Sequence, residues 1–157
     1  MPKIGKSTIR CLNTLSVVLL WNDFKILAEA GTIEQLDILK ILDANERKIP
    51  VEDICAYTPL LKYFNTFYTH VTPNSIKVWN SLISTNIMTF HLGHVDGLLN
   101  VEDYLKFIKI RPAAYFSVTF SSNVSKEHTK EFFAILRSEM QKWKAGKPYF
   151  STFITIT

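Results

Sequence analysis

The segment between residues 72 and 101 constrains the fold of this chain more than any other stretch of its sequence. Thr72 and Pro73 are typical of a helix start, and the following residues predict a helix over 73–85 with one apolar and one polar face. Two short extended pieces come next, joined by a turn that contains two glycines, and they predict a β-hairpin over 87–101. The polar face of the helix carries Asn74, Ser75, Lys77, Asn80 and Ser81.

Residues 1–31 imitate a secretory signal peptide, because Lys3, Lys6 and Arg10 precede an apolar run and an Ala-Glu-Ala sequence follows it. Asn22, Asp23 and Lys25 interrupt the stretch between the run and that sequence, where charge is normally excluded. The run is also too short to cross a bilayer. Residues 7–30 are therefore predicted to form one mostly buried helix that ends before Gly31.

Helix signals continue after Gly31. Thr32 is placed to cap a helix over 33–44, and Pro50 stands at a favourable first position of a short helix. A further helical segment, rich in aromatic residues, is predicted over 59–70. The chain is therefore expected to be mainly helical up to the hairpin.

The pattern changes after Pro112 to strand, helix and strand. Residues 114–120 alternate between apolar and polar positions, and Ser125 can cap a long helix that Gly146 and Pro148 end. Residues 150–156 alternate as a second strand. This β-α-β order predicts a parallel pair of strands joined by a right-handed crossover.

The order of helix 33–44, the short helix from Pro50, helix 73–85 and hairpin 87–101 resembles a winged helix-turn-helix domain. The long N-terminal helix is similar to that of MarR-type regulators, in which such a helix joins the dimer interface. The resemblance implies that helix 73–85 is the recognition helix and that residues 91–97 form the wing. Extra residues before the recognition helix, and the C-terminal β-α-β segment, depart from the MarR pattern.

These elements predict an α+β fold. Residues 1–111 form a mainly helical, winged-helix-like region with the hairpin near 87–101, and residues 112–157 form a β-α-β segment that packs on the same core. A chain of 157 residues with 47% hydrophobic residues is sufficient for one such core.

The charge distribution favours a polyanionic partner. The formal net charge is +4, and no carboxylate occurs from Ile54 through Val95. A surface that approaches phosphates benefits from the removal of acids. We therefore predict a DNA-binding regulatory protein that contacts duplex DNA through helix 73–85 and hairpin 87–101. The residues expected to contact DNA are Asn74, Ser75, Lys77, Asn80, Lys62 and His94.

The resemblance to MarR-type regulators also implies a homodimer. Two cysteines cannot make a disulfide framework, so a cytoplasmic location is expected, with no membrane contact. The chain contains no P-loop, no nucleophile elbow and no Gly-rich dinucleotide turn. No cofactor and no catalytic residue are assigned, and whether the protein is an enzyme stays open, with a non-enzymatic role favoured.

A metal-dependent nuclease is one alternative. His91, His94 and Asp96 have the residue types of a metal site, but alternation along a strand does not favour their convergence. Acids in 43–48 and in 96–103 are explained more simply as loop residues and helix starts. No metal ligand is therefore assigned.

A protein-interaction module without nucleic-acid binding is the other alternative. It would use the aromatic segment 57–68 or the C-terminal sheet. Tyr115 and Phe153 are predicted to share the sheet face opposite the core, beside several Lys residues, where they could instead stack single-stranded bases. A sequence echo also needs an explanation, because Ile49–Ile54 resembles Leu99–Tyr104. Two copies do not predict a solenoid, and acidic helix starts explain both.

Overall fold

A computed structural model describes residues 8–143 together with the backbone of residues 149–150. It contains six strands in one sheet, and a helix follows each of the first five. In chain order the elements are β1 Cys11–Leu20, α1 Trp21–Ala28, β2 Gln35–Leu42, α2 Val51–Ala56, β3 Tyr63–Thr66, α3 Ser75–Leu82, β4 Thr89–Val95, α4 Val101–Lys109, β5 Tyr115–Phe120, α5 Lys126–Gln141 and β6 Tyr149–Phe150.

The fold is α/β, and the prediction of an α+β fold with a winged-helix-like region is wrong. All neighbouring strands pair in parallel, in the order β1-β2-β3-β4-β5-β6. The helix predicted over 33–44 is strand β2, the one predicted over 59–70 contains strand β3, and the one predicted over 7–30 is β1 followed by α1. Short apolar segments of this kind are ambiguous, since a strand buried on one face and a helix turn have similar patterns.

The hairpin predicted over 87–101 is also absent from the described residues. In its place β4 runs between β3 and β5, parallel to both, and leads through a loop to α4. Gly93 and His94, which suggested a turn, lie at a bulge, where the pairing with β5 shifts between Leu92 and Val95. A bulge inserts an extra residue without reversing the chain.

Other local predictions are confirmed. Helices begin near Pro50, Pro73 and Asn100 as expected, and the side chain of Asn100 accepts a hydrogen bond from the backbone N–H of Asp103. Ser125 caps α5 in the same way through the N–H of His128. The C-terminal strand pair, β5 with β6, is parallel. Residues 151–156 of the predicted last strand lie outside the described residues.

The sequential strand order distinguishes this sheet from the doubly wound type. Flavodoxin-like proteins also alternate parallel strands with helices, but their order of 2-1-3-4-5 reverses once, so helices cover both faces. Here every connection advances in one direction, and right-handed connections then place all helices on one face. Consistent with a single layer, α2, α3, α4 and α5 contact one another in succession. We therefore infer that none of the described helices α1 to α5 covers the opposite face of the sheet.

The β-α units repeat with a nearly constant period. Leu36, Phe64, Phe90 and Phe116 are partners across β2 to β5, at separations of 28, 26 and 26 residues. Solenoids built from one strand and one helix per unit have periods in this range. The echo of Ile49–Ile54 in Leu99–Tyr104 marks the starts of α2 and α4, two units apart. The two similar stretches therefore occupy equivalent positions in a structural repeat.

Aromatic side chains fill the space between the sheet and the helices. The ring of Phe90 lies 5.3 Å from that of Trp79 and 5.1 Å from that of Phe107, and all three side chains are fully buried. Arg111 is buried among them, with its guanidinium 4.2 Å from the Phe107 ring. Its nitrogens donate to the backbone oxygens of Phe107 and Ile83 at 2.7 Å each, which joins the C-terminal ends of α3 and α4. Burial lowers the pKa of Arg111 to about 10, so it stays charged at neutral pH.

No helix in the described part of the chain is long and apolar enough to span a membrane.

Candidate interaction surface

The sheet face opposite the helices presents its side chains in two rows, and we call these rows the open face. Alternation along each strand assigns the rows, because successive side chains point to opposite faces. On β3, for example, Phe64 is fully buried whereas Tyr63 is exposed and Asn65 is half-buried. The strand register aligns one row as Cys11, Gln35, Tyr63, Thr89 and Tyr115, and the other as Asn13, Asp37, Asn65, His91 and Ser117.

The open face is polar and aromatic but almost uncharged. Asp37 is the single carboxylate in the two rows, and neither row contains Lys or Arg. The amide of Gln35 donates to one carboxylate oxygen of Asp37 at 2.8 Å, and the amide of Asn65 donates to the other at 3.2 Å. These two hydrogen bonds hold the Asp37 carboxylate in place on the open face. Without a basic residue, the two rows offer no charge that would attract phosphates.

Two tyrosines provide the largest side chains of the open face. Tyr63 and Tyr115 are 41% and 39% exposed, on β3 and β5. The shorter Thr89 lies between them in the row, so the rings flank a gap about 9–10 Å wide at the backbone. The hydroxyl of Tyr63 contacts Sδ of Met88 at 3.0 Å. A side chain from a partner could enter this gap and contact both rings.

The bulge in β4 builds an aromatic cluster where the open face meets the carboxyl ends of the strands. His94 has a φ of 42°, in the left-handed region, and its ring lies 5.0 Å from that of Phe67 and 5.3 Å from that of Tyr68. Gly93 is needed beside it, because a Cβ there would come within 2.7 Å of the backbone oxygens of Thr66 and Phe67. The bulge therefore aims His94 at the two exposed rings.

His91 is held in its neutral form. Burial lowers the pKa of this imidazole, and the nearby His94 lowers it further. A neutral imidazole offers one hydrogen-bond donor and one acceptor, whereas a protonated one offers two donors. At neutral pH His91 therefore adds a hydrogen-bonding group to the open face without adding charge.

A separate charged cluster joins three loops at the carboxyl edge of the sheet. One carboxylate oxygen of Asp96 lies 2.9 Å from Nζ of Lys48, and the other lies 3.0 Å from Nδ1 of His70. These residues follow β2, β3 and β4, so the cluster ties together successive units. The carboxylate of Asp96 thus contacts Lys48 and His70. Within residues 8–143, no group of three His, Cys, Asp or Glu side chains is arranged to hold a metal ion.

The residues predicted to contact DNA do not share one surface. Ser75 is buried and donates a short hydrogen bond to the carboxylate of Glu52. Asn80 accepts a hydrogen bond from Arg111, and Lys62 is paired with Glu34 at 2.8 Å. Asn74 and Lys77 are exposed on the helix side, whereas His94 belongs to the aromatic cluster next to the open face.

A groove of about 660 Å³ lies between the starts of α4 and α5 and the loop after β3. Lys77 and His128 line it, but so do the carboxyl groups of Asp103 and Glu131. Side chains of both charge signs line the groove, so it does not offer the purely basic surface that phosphates require.

Comparisons with protein-family models, with curated proteins and with solved structures find no match to this chain.

Sequence reasoning found part of the open face and missed the rest. Tyr115 was predicted to face away from the core, and it does, whereas Phe153 lies outside the described residues. Asp37, Asn65 and His91 were missed because β2 and β3 were assigned as helices and β4 as part of a hairpin. The sequence does contain a signal for these strands. A three-residue pattern of Tyr or Thr, then Phe, then a polar residue recurs at 63–65, 89–91 and 115–117.

Proposed function

We propose that this protein is a recognition module that binds another protein through the open face of its sheet. The observation that carries the proposal is the uncovered face itself, with Tyr63 and Tyr115 among Asn, Thr, Ser and His side chains. Tyr supplies a large contact area with few rotatable bonds, and Asn and Ser supply adaptable hydrogen bonds, which is the composition of antibody binding sites. Solenoid proteins use such extended faces for binding.

The chemistry of the face favours a particular kind of partner. Asp37, on β2, can accept a hydrogen bond from a Lys or Arg of the partner, while Tyr63 on the neighbouring strand β3 and Tyr115 on β5 offer apolar area. The neutral His91 and Asn65 add hydrogen-bonding groups. We therefore expect a protein segment in which one basic residue is followed on one side by apolar residues.

Binding of duplex DNA stays a prediction that no observation tests. The winged-helix resemblance on which it was based is wrong, and of the six predicted contact residues only Asn74 and Lys77 are exposed together on one helix. Phosphate contacts require several basic residues on one surface. The open face meets the requirements of protein recognition better than those of DNA binding.

The test is a selection of binding peptides from a random-sequence display library against the parent protein. Their affinity is then measured by calorimetry on two variants. In Tyr63→Ala/Tyr115→Ala the open face loses both rings, and we expect affinity to fall about 100-fold, as for a pair of central aromatic contacts. The control Lys77→Ala/Ile110→Ala changes two exposed side chains outside the two rows, and we expect affinity within about threefold of the parent.

The proposal would be overturned if both variants lost peptide affinity equally, or if the tyrosine variant bound the peptides as tightly as the parent. Both substituted tyrosines are exposed, so the free energy of unfolding should change by less than about 1 kcal/mol in that variant. Labelled random duplex DNA, titrated at two salt concentrations, tests the alternative. Salt-sensitive DNA binding that is lost in the Lys77 variant and retained in the tyrosine variant would replace protein recognition with DNA binding.

A further inference from the structure

Strand β1 has an unprotected edge. It pairs with β2 on one side, and no described residue pairs with its other side. Its ten residues include no charged residue and no Pro. Proteins usually protect edge strands with Lys, Pro or short length, because the free N–H and C=O groups otherwise recruit another strand.

The same end of the molecule exposes apolar side chains in both layers. On β1, Val17 and Leu20 are 53% and 54% exposed, and Leu15 and Val18 also exceed one third. On α1, the first helix of the layer, Ile26 is 71% exposed, the highest value among the large apolar residues described. End units of solenoids normally have a polar outer surface. This end therefore resembles an interface more than a solvent-facing cap.

A molecule that pairs with the free edge of β1 must supply a strand that is equally free of charge. Strands β2 to β5 already pair on both sides, whereas β1 itself has the right composition and a free edge. We propose that β1 pairs antiparallel with β1 of a second copy of this chain, across a two-fold axis. Such an axis brings together two identical patches, so a patch that complements itself is required. An uncharged apolar strand meets that requirement.

The geometry of this dimer follows from the symmetry. An axis perpendicular to the sheet reverses the strand direction but keeps both helix layers on the same side. The two α1 helices become neighbours, so their layer continues across the seam together with the sheet. Residues 15–17 have no partner on β2, and the exposed apolar side chains of Leu15 and Val17 are available to the other copy. The two open faces then lie side by side in one continuous sheet.

Sedimentation equilibrium over a range of concentrations tests the dimer. We expect the parent chain to be dimeric and Val17→Lys/Leu20→Lys to be monomeric, since charges forced into the seam should raise the dissociation constant about 100-fold or more. Leu98→Lys is the matched control, because Leu98 is 64% exposed in the loop after β4 and should leave the dimer intact. A monomeric parent, or a dimer that persists in the β1 variant, would overturn the proposal.

A crosslinking experiment is independent of whether the Lys variant folds. Cys11 is exposed and Cys55 is buried, so Cys11 is the accessible native thiol. In a full antiparallel overlap, Cys11 of one copy lies opposite residue 20 of the other. We expect Leu20→Cys to form covalent dimers with a short bis-maleimide, because the two thiols of one strand are roughly 30 Å apart and cannot be bridged within a chain.

If Leu20→Cys gives no covalent dimer while the parent sediments as a dimer, the seam lies elsewhere and the proposal fails. Dimerisation and partner binding are separable, because Tyr63→Ala/Tyr115→Ala leaves β1 unchanged and should stay dimeric. The dimer proposal can therefore stand if the protein-recognition proposal is wrong, and the reverse also holds.

Discussion

The two faces of the sheet come from the same strands but have opposite chemistry. On the covered face, Phe64, Phe90 and Phe116 lie side by side and are completely buried. One residue further along each strand, Asn65, His91 and Ser117 form a polar row on the open face. The alternation shows that each strand serves two purposes. The covered face holds the fold together, whereas side chains of the open face contribute little to the core.

The largest expected effect comes from the covered face. Phe90→Ala removes a ring that packs against Phe64, Trp79, Phe107 and Phe116, and we expect it to lower the free energy of unfolding by about 3–5 kcal/mol. His91→Ala, one residue away on the open face, should cost less than about 1 kcal/mol. Urea denaturation of both variants measures the difference. Similar losses would contradict the division between the faces.

A smaller effect is expected where the covered side contains a charge. Arg111→Met keeps an apolar side chain but leaves the backbone oxygens of Phe107 and Ile83 without their donor. We expect the free energy of unfolding to fall by about 2–4 kcal/mol, because buried acceptors lose their hydrogen bonds. Arg111→Lys should restore only part of the loss, since its ammonium cannot reproduce the planar fork. Full stability of the Met variant in urea denaturation would show that these carbonyls need no partner.

The bulge provides a third comparison, between the backbone and the side chains of the open face. Gly93→Ala places a methyl group against the backbone of Thr66 and Phe67, where little space exists. The strands must shift, and we expect a loss of roughly 1–3 kcal/mol in the free energy of unfolding. The ring signals of Phe67 and His94 in NMR spectra should move as well. A variant with unchanged stability and unchanged signals would contradict a close approach at this position.

The smallest effect concerns pH. Because the pKa of His91 is lowered in the folded protein, the unfolded chain binds its proton more readily. The stability from a neutral His91 is complete above the unfolded pKa of about 6.5, and it is lost progressively as the pH falls towards the folded pKa. Gln cannot take up this proton. His91→Gln should therefore lose less stability than the parent between about pH 7 and about pH 5 in urea denaturation, and an equal loss would contradict this.

Local signals in the sequence predicted the second half of the chain better than the first. Asn100 and Ser125 identify helix starts through short-range hydrogen bonds, so α4 and α5 could be located without knowledge of the rest. In β2, Leu36 and Ile38 follow strand spacing, but Ile41 restores a helix-like interval. Whether such a segment becomes a strand depends on the neighbours that pair with it, and the sequence does not display those.

The candidate surface was even less accessible to sequence analysis. Asp37, Asn65 and His91 are 28 and 26 residues apart, and only the register of β2, β3 and β4 makes them neighbours. The recurring Phe at 64, 90 and 116 would have revealed the unit length, because equal spacing of a buried ring predicts equal units. Tyr115 could be assigned to the open face in advance because β5 alternates regularly.

The sequential strand order has a consequence for how such a protein can evolve. A closed barrel, or a sheet wound in both directions, fixes the number of strands, and a new unit would have to break existing contacts. Here each β-α unit pairs with its neighbours along one line, so a duplicated stretch of about 26 residues can be inserted without altering the path of the others. Each duplication would lengthen the rows by one position, about 4.8 Å wide. The width of the sheet would thus grow in equal steps through gene duplication.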